Sequence, residues 1–309
     1  MMNALIVDDS RIMRMVIRSH LVSCGFSDAQ IYEAQDGRDA LQKMEEVRPD
    51  LVLSDINMPV MDGEQLLYYL ADSGFLEQGR AVMVTSRYER RLFRRLLHAG
   101  ATAVIRKPFT PSSFHRQLEP VLHDLKNNVS NIAFFKGEGT SAPAAVVPPV
   151  RPVPNAPQPQ RNPFSRASNE DRAKVAARST AQILHTLGVE GQEAAIEQAP
   201  VGTLYFADVE VEGPPKEQLV LYGDSAVCDL ISQRMVGVSA STDEGRADVM
   251  GEIANIVVGR YLVEATGPEH NRKFSTPQSG TVGSDEVLLE NFVAVNIAGG
   301  GVLYVGIVG

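Results

Sequence analysis

Eight prolines fall between residues 143 and 163, and no single fold runs through such a stretch. Proline lacks a backbone donor and blocks both helix and sheet. The segment therefore reads as a semi-extended linker. It divides the 309-residue chain into residues 1–126, a linker at 127–168 and residues 169–309, and each flank has the length of an ordinary domain. No internal repeat relates the two flanks.

Composition narrows the function classes. A chain 44 % apolar and 22 % charged reads as soluble and globular. Its formal net charge of -9 argues against nucleic acid as a main partner, because phosphate binding needs a basic surface. No apolar run reaches the length of a membrane span, and Met1 to Asp9 suits a first strand better than a secretory signal. Cys24 and Cys228 are too few for a disulfide scaffold or a zinc site. A cytoplasmic location with reduced thiols is expected.

The first flank alternates short apolar runs with helical periodicity. Ala4 to Val7, Ile31 to Glu33, Leu51 to Leu53, Ala81 to Val84 and Ala103 to Ile105 predict five strands. Arg11 to Cys24, with Ile12, Met13, Val16, Ile17 and Leu21 at helical spacing, predicts the first of five helices, and Gly37 to Val47 the second. Strict alternation gives an α/β fold, a doubly wound five-stranded parallel sheet, whose ligands bind beyond the carboxyl ends of the strands.

Those ends carry chemistry. Asp8 and Asp9 follow the first strand, Asp55 the third, Thr85 and Ser86 the fourth, and Lys107 the fifth. One crevice thus collects three carboxylates, a hydroxyl and an ammonium. The carboxylates repel one another unless a cation joins them, and Mg²⁺ is hard and oxygen-seeking. In-line attack by a carboxylate oxygen on phosphorus would give an acyl phosphate. Lysine can pair with a phosphoryl oxygen as a point charge, and Thr85 can donate to another.

The motifs VDDS at 7–10, SDINMPVMDG at 54–63, VTS at 84–86 and RKPF at 106–109 together resemble the CheY-like response-regulator receiver family, over residues 1 to about 125. The resemblance implies that Asp55 is the phosphoacceptor. It implies that Asp8, Asp9, Asp55 and the backbone carbonyl of Asn57 hold Mg²⁺, that Thr85 and Lys107 bind the phosphoryl group, and that a sensor histidine kinase is a partner. Taken singly, each acidic residue is an ordinary helix cap or turn. The chain departs from the family at Val104, where an aromatic residue usually stands three positions before the lysine. Tyr88 to His98 predicts a helix with Arg90, Arg91, Arg94 and Arg95 on one face. That face is either solvated or a docking surface for an acidic partner, the second domain of this acidic chain being one such partner.

The second flank predicts helices at Glu170–Leu187, Asp224–Met235 and Asp248–Glu264. Strands are expected at Val201–Ala207, Glu217–Tyr222, Val287–Leu289, Phe292–Ile297 and Val302–Val308. This is an α/β or α+β domain with a mostly antiparallel sheet. Glu252 and Asn255 are three apart on the long helix and so are neighbours on one face, with Asp248 a turn earlier. A carboxylate beside a carboxamide suits entry into another protein's site, the acid pairing with a lysine and the amide holding a water for attack on phosphorus. Alone, E-x-x-N is also an ordinary exposed helix face.

With GEIANIVVG at 251–259, FSTPQSGTVG at 274–283 and GGGVLYVGI at 299–307, the segment from about 170 to 309 resembles the CheC/CheX/FliY phosphatase family, CheX-like members most, since one acid–amide helix is found. The resemblance implies that Glu252 bridges to a receiver lysine and Asn255 orients the hydrolytic water. It implies phosphorylated receivers, its own or another's, as partners, and that such domains pair; with the strands near the C-terminus expected to leave an open sheet edge, a homodimer through residues 170–309 is predicted. A linker of some 20 residues spans roughly 60 Å, so Glu252 can reach Lys107 of its own chain or of a dimer partner. The alternative is a non-catalytic dimerisation or adaptor module. A transcription factor is disfavoured, since no helix-turn-helix with a basic recognition helix follows residue 170. Gly299–Gly301 reads as a turn, and His98, His115 and His123 lack partners at ligand spacing.

Overall fold

The structure, a computed structural model, describes residues 2–87, 89–132, 167–267 and 272–309. The expected proline-rich linker lies outside the described residues apart from its two ends.

The first domain runs β1 (Ala4–Val7), α1 (Arg11–Ser23), β2 (Ile31–Ala34), α2 (Gly37–Val47), β3 (Leu51–Asp55), α3 (Gly63–Asp72), β4 (Arg80–Thr85), α4 (Arg90–His98), β5 (Ala103–Arg106) and α5 (Pro111–Ile132). The strands form one parallel sheet in the order β2-β1-β3-β4-β5. Every residue of β1 and β3 is buried, which is why these strands read as continuous apolar runs rather than alternating ones. Ile6, Leu53 and Val84 face α1 and α5, while Leu5, Val52 and Met83 face the other layer with Leu66, Leu70 and Leu92. Local caps fix the helix starts: Ser10 Oγ accepts from Met13 N, and Asp62 and Gln65 form a reciprocal capping box.

The second domain runs α6 (Asn169–Thr186), β6 (Gly191–Ala194), β7 (Thr203–Val211), β8 (Glu217–Gly223), α7 (Ser225–Val236), α8 (Asp243–Thr266), β9 (Gln278–Gly283), β10 (Phe292–Ile297) and β11 (Val302–Val308). Its antiparallel sheet has the order β6-β10-β11-β8-β7-β9. Tyr205, Ala207, Val209, Leu219, Leu221, Leu303 and Val305 pack from one sheet face onto Ala176 and Ile183 of α6 and Ile253 and Val257 of α8.

Several expectations are corrected. Val287–Leu289 is not a strand: it follows a short helical turn, it is flanked by acidic residues, and Leu288 is 83 % exposed, so nothing buries the run. β6 and β9 are strands that periodicity missed. Both are sheet edges, held by backbone pairing rather than by an apolar face. They also replace the C-terminal strands as the sheet's open edges, since β10 and β11 are each paired on both sides. α8 begins at Asp243 and not Asp248, because Thr242 caps it through Gly245 N, and the polar first turns carry no apolar spacing. α5 continues past residue 127 to Ile132, and α4 starts at Arg90.

The two domains pack together. α7 and α8 lie against α1, and the apolar core is continuous across the contact through Met13, Val16, Met235 and Ile256. These residues line a cavity of about 110 Å³ with His20, Pro108 and Phe109. The arginine face of α4 points elsewhere: its four arginines are exposed, and Arg95 pairs with Glu64 of α3.

Candidate functional site

The carboxyl ends of β1, β3, β4 and β5 meet at Lys107, which is fully buried. Its Nζ donates to Asp8 Oδ2 at 2.9 Å and stands 3.0 Å from Asp55 Oδ1. Asp8 Oδ1 accepts from Ser10 N at 2.9 Å, and Asp55 Oδ2 accepts from Asn57 N at 2.7 Å, so each carboxylate is held at both oxygens. Arg14 Nη1 donates to the carbonyls of Asp8 and Asp9 and fixes the loop after β1. Lys107 N donates to the Thr85 carbonyl at 2.8 Å, tying β5 to β4. Gly63 starts α3 where a Cβ would lie 1.8 Å from the Asp55 carbonyl oxygen, so only glycine lets α3 begin against the end of β3. Thr85 Oγ1 accepts from Arg87 N at 3.0 Å and keeps its own proton to donate.

The second domain completes this cluster. Glu252 and Asn255 of α8 are buried, as an exposed polar face would not be. Glu252 Oε1 lies 3.3 Å from Lys107 Nζ, an ion pair without hydrogen-bond alignment. Ser86 Oγ donates to Asn255 Oδ1 at 3.2 Å. Asp248, earlier on the helix, is half-buried, and burial and Glu244 raise its pKa against the pull of Arg11 and Arg14.

Carboxylates from both domains thus surround one ammonium. Burial pushes the Asp55 carboxyl up to about 6, despite Lys107. Burial, then Asp8 and Asp55, push Asp9 up to about 8. Burial pushes Glu252 up to about 7, with Lys107 opposing. Burial works against the Lys107 charge, but Asp55, Asp8 and Glu252 outweigh it and hold its pKa well above the usual value. The cluster is short of positive charge, and its free donors are hard oxygens, the chemistry that suits Mg²⁺. Among the described residues no three acidic, histidine or cysteine side chains stand together as a metal cage, and Lys107 bridges Asp8 and Asp55.

The structure therefore brings together Asp8, Asp55, Thr85, Lys107, Glu252 and Asn255, with Asp9 and Asn57 at the rim. Sequence reasoning gave no role to Ser86 or to Gly259, whose backbone meets Ser86 across the domain boundary. The small hydroxyl directly after Thr85 and the glycine one turn beyond Asn255 were the available signals. Val104 is half-buried, and Phe93 of α4 packs in the same layer, with the Arg106 guanidinium 4.5 Å over its ring.

A family model described as response regulator receiver domain matches residues 4–119. A probable chemotaxis protein CheY of Rhizobium etli is 34 % identical over 122 residues, which are 40 % of this chain and 93 % of that relative. Among solved structures, chemotaxis protein CheY4 of Vibrio cholerae is 30 % identical and aligns with 39 % of this chain and 98 % of its own, at a TM-score of 0.36. A CheX–CheY–BeF3–Mg complex from Borrelia burgdorferi is 30 % identical over 39 % of this chain and 89 % of the matched chain, at a TM-score of 0.37.

Proposed function

Because this chain belongs through its first domain to the response regulator receiver family, we propose that Asp55 is its phosphoacceptor and that its second domain hydrolyses the resulting aspartyl phosphate. The observation that carries this reading is the 3.3 Å approach of Glu252 Oε1 to Lys107 Nζ, between two domains of one chain. Nothing but the receiver crevice explains a fully buried acid on α8, since an unpaired buried carboxylate is costly.

Asp8, Asp9, Asp55 and the Asn57 carbonyl would hold Mg²⁺, which supplies charge neutralisation for a phosphoryl group. In forming the phosphoprotein, an Asp55 oxygen bonds to phosphorus and the donor's oxygen or nitrogen leaves with the electron pair. Lys107 and the Thr85 hydroxyl pair with phosphoryl oxygens. In hydrolysis, a water oxygen bonds to phosphorus, the bond to the Asp55 oxygen breaks, and the products are the Asp55 carboxylate and inorganic phosphate. Glu252 anchors α8 on Lys107, and Asn255 holds the water in line, where its two N–H groups remain available while Ser86 takes its oxygen. A second reading, a non-catalytic adaptor, is favoured by the burial of this contact, since Ser86 and Asn255 are 1 % and 4 % exposed and would serve equally to hold two domains together.

Labelling with a small acyl phosphate and Mg²⁺ tests the acceptor: wild type takes one base-labile phosphoryl group and Asp55→Asn takes none. Release of inorganic phosphate from labelled full chain then tests the second domain. Asn255→Ala should slow release sharply. Equal release from wild type and Asn255→Ala would reject hydrolysis and leave the adaptor.

A further inference from the structure

We propose that Gly259 is a positioning residue whose bare backbone, seated on the Ser86 carbonyl, sets how deeply α8 carries Glu252 and Asn255 into the Asp55 crevice. The inference rests on the hydrolytic reading and names the contact that controls it. Gly259 lies four residues after Asn255 and seven after Glu252, so all three share one helix face. A Cβ at Gly259 would lie 1.9 Å from the Ser86 carbonyl oxygen and 2.8 Å from its carbon. The obstacle is backbone and cannot rotate aside. Ser86 follows the last residue of β4, so its carbonyl is anchored to the parallel sheet.

One residue of the first domain is thus gripped at two points of α8. Its carbonyl meets Gly259, and its hydroxyl donates to Asn255 Oδ1 at 3.2 Å. Glu252 reaches Lys107 one turn further along the same face. The helix itself has no use for a glycine there: α8 continues to Thr266, and alanine is the better helix former in an interior turn. Gly251 of the same helix shows the contrast, since a Cβ there would meet Ser279 Oγ at 3.4 Å, an ordinary contact. Any side chain at Gly259 lifts α8 from Ser86, and a displacement of about 1 Å at a reacting centre can cost about 10²-fold in rate.

The test uses full-length protein as wild type, Gly259→Ala, Gly251→Ala and Asn255→Ala. A small acyl phosphate labels each, and three quantities are read: the labelling rate, the lifetime of the phosphate and the helical circular dichroism. Gly259→Ala should lengthen the lifetime to that of Asn255→Ala, label faster than wild type because Asp55 is uncovered, and keep the helical signal. Gly251→Ala should match wild type throughout. An unchanged labelling rate and lifetime in Gly259→Ala would overturn the proposal, and so would loss of its helical signal, which would make the glycine merely structural. If wild type and Asn255→Ala share one lifetime, hydrolysis fails as a reading, and the labelling rate alone still decides whether Gly259 sets the contact.

Discussion

Ser86 Oγ donates to Asn255 Oδ1 across 3.2 Å, joining two buried residues 169 positions apart in the chain. Ser86→Ala leaves a buried amide oxygen without its donor while keeping the backbone that meets Gly259. An unsatisfied buried acceptor costs about 1–3 kcal/mol. The docked arrangement should weaken accordingly, and the phosphate on full-length protein should persist about tenfold longer, since roughly 1.4 kcal/mol is a factor of ten. A lifetime equal to wild type would show that the contact does not orient Asn255.

The second domain also stands between Asp55 and any phosphodonor. Asp55 is 1 % exposed, and Glu252 of the second domain lies 3.3 Å from the Lys107 ammonium that stands 3.0 Å from Asp55, so on the proposed reading a donor reaches Asp55 only when the domains part. The labelling rate then scales with the open fraction. Full-length protein should label more slowly than residues 1–126, and Glu252→Ala should close part of the gap. Equal rates for full-length protein and residues 1–126 would show that the docked state is rare in solution.

The first domain was largely legible because its chemistry depends on strand ends. Buried parallel strands leave continuous apolar runs, and the next polar residues, Asp8, Asp55, Thr85 and Lys107, therefore fall at one sheet edge. The second domain was legible where burial imposes period, as in α6 and β11. It was illegible at β6 and β9, whose Gly, Ser and Thr residues are held by backbone pairing alone. The start of α8 was missed because its cap, Thr242, precedes two polar turns. The pair Glu252 and Asn255 could be read from spacing. Ser86 and Gly259 could not, because their importance arises only when two domains distant in sequence meet.

His20 provides a pH test of the domain contact. It is buried against Phe109 and Phe114, with ring centroids 5.6 and 5.2 Å away, and lines the cavity between the domains with Arg234. Burial lowers its pKa, so the folded protein keeps it neutral where the unfolded chain is protonated. At His20 the unfolded state then binds more protons below the ordinary histidine value of about 6.5, so the contribution of this residue to stability falls as pH drops through that range. Asp9, Asp55 and Glu252, whose raised carboxyls take up protons in the folded protein, act in the opposite sense in wild type and variant alike. From pH 8 to pH 5.5, urea unfolding should therefore show wild type losing stability relative to His20→Leu. The same change in both proteins would place the sensitivity elsewhere.

Hydrolysis by the second domain is read most directly from the lifetime of the Asp55 phosphate in full-length protein and in residues 1–126, side by side. The shorter protein is a fair reference, because the Rhizobium relative aligns over 93 % of its length with a segment of this size. Tethering supplies the second domain at an effective concentration on the order of mM. The full-length lifetime should be shorter by about tenfold or more, the least that a water held in line by Asn255 should contribute. Equal lifetimes, or a longer one in the full-length protein, would contradict hydrolysis by the second domain.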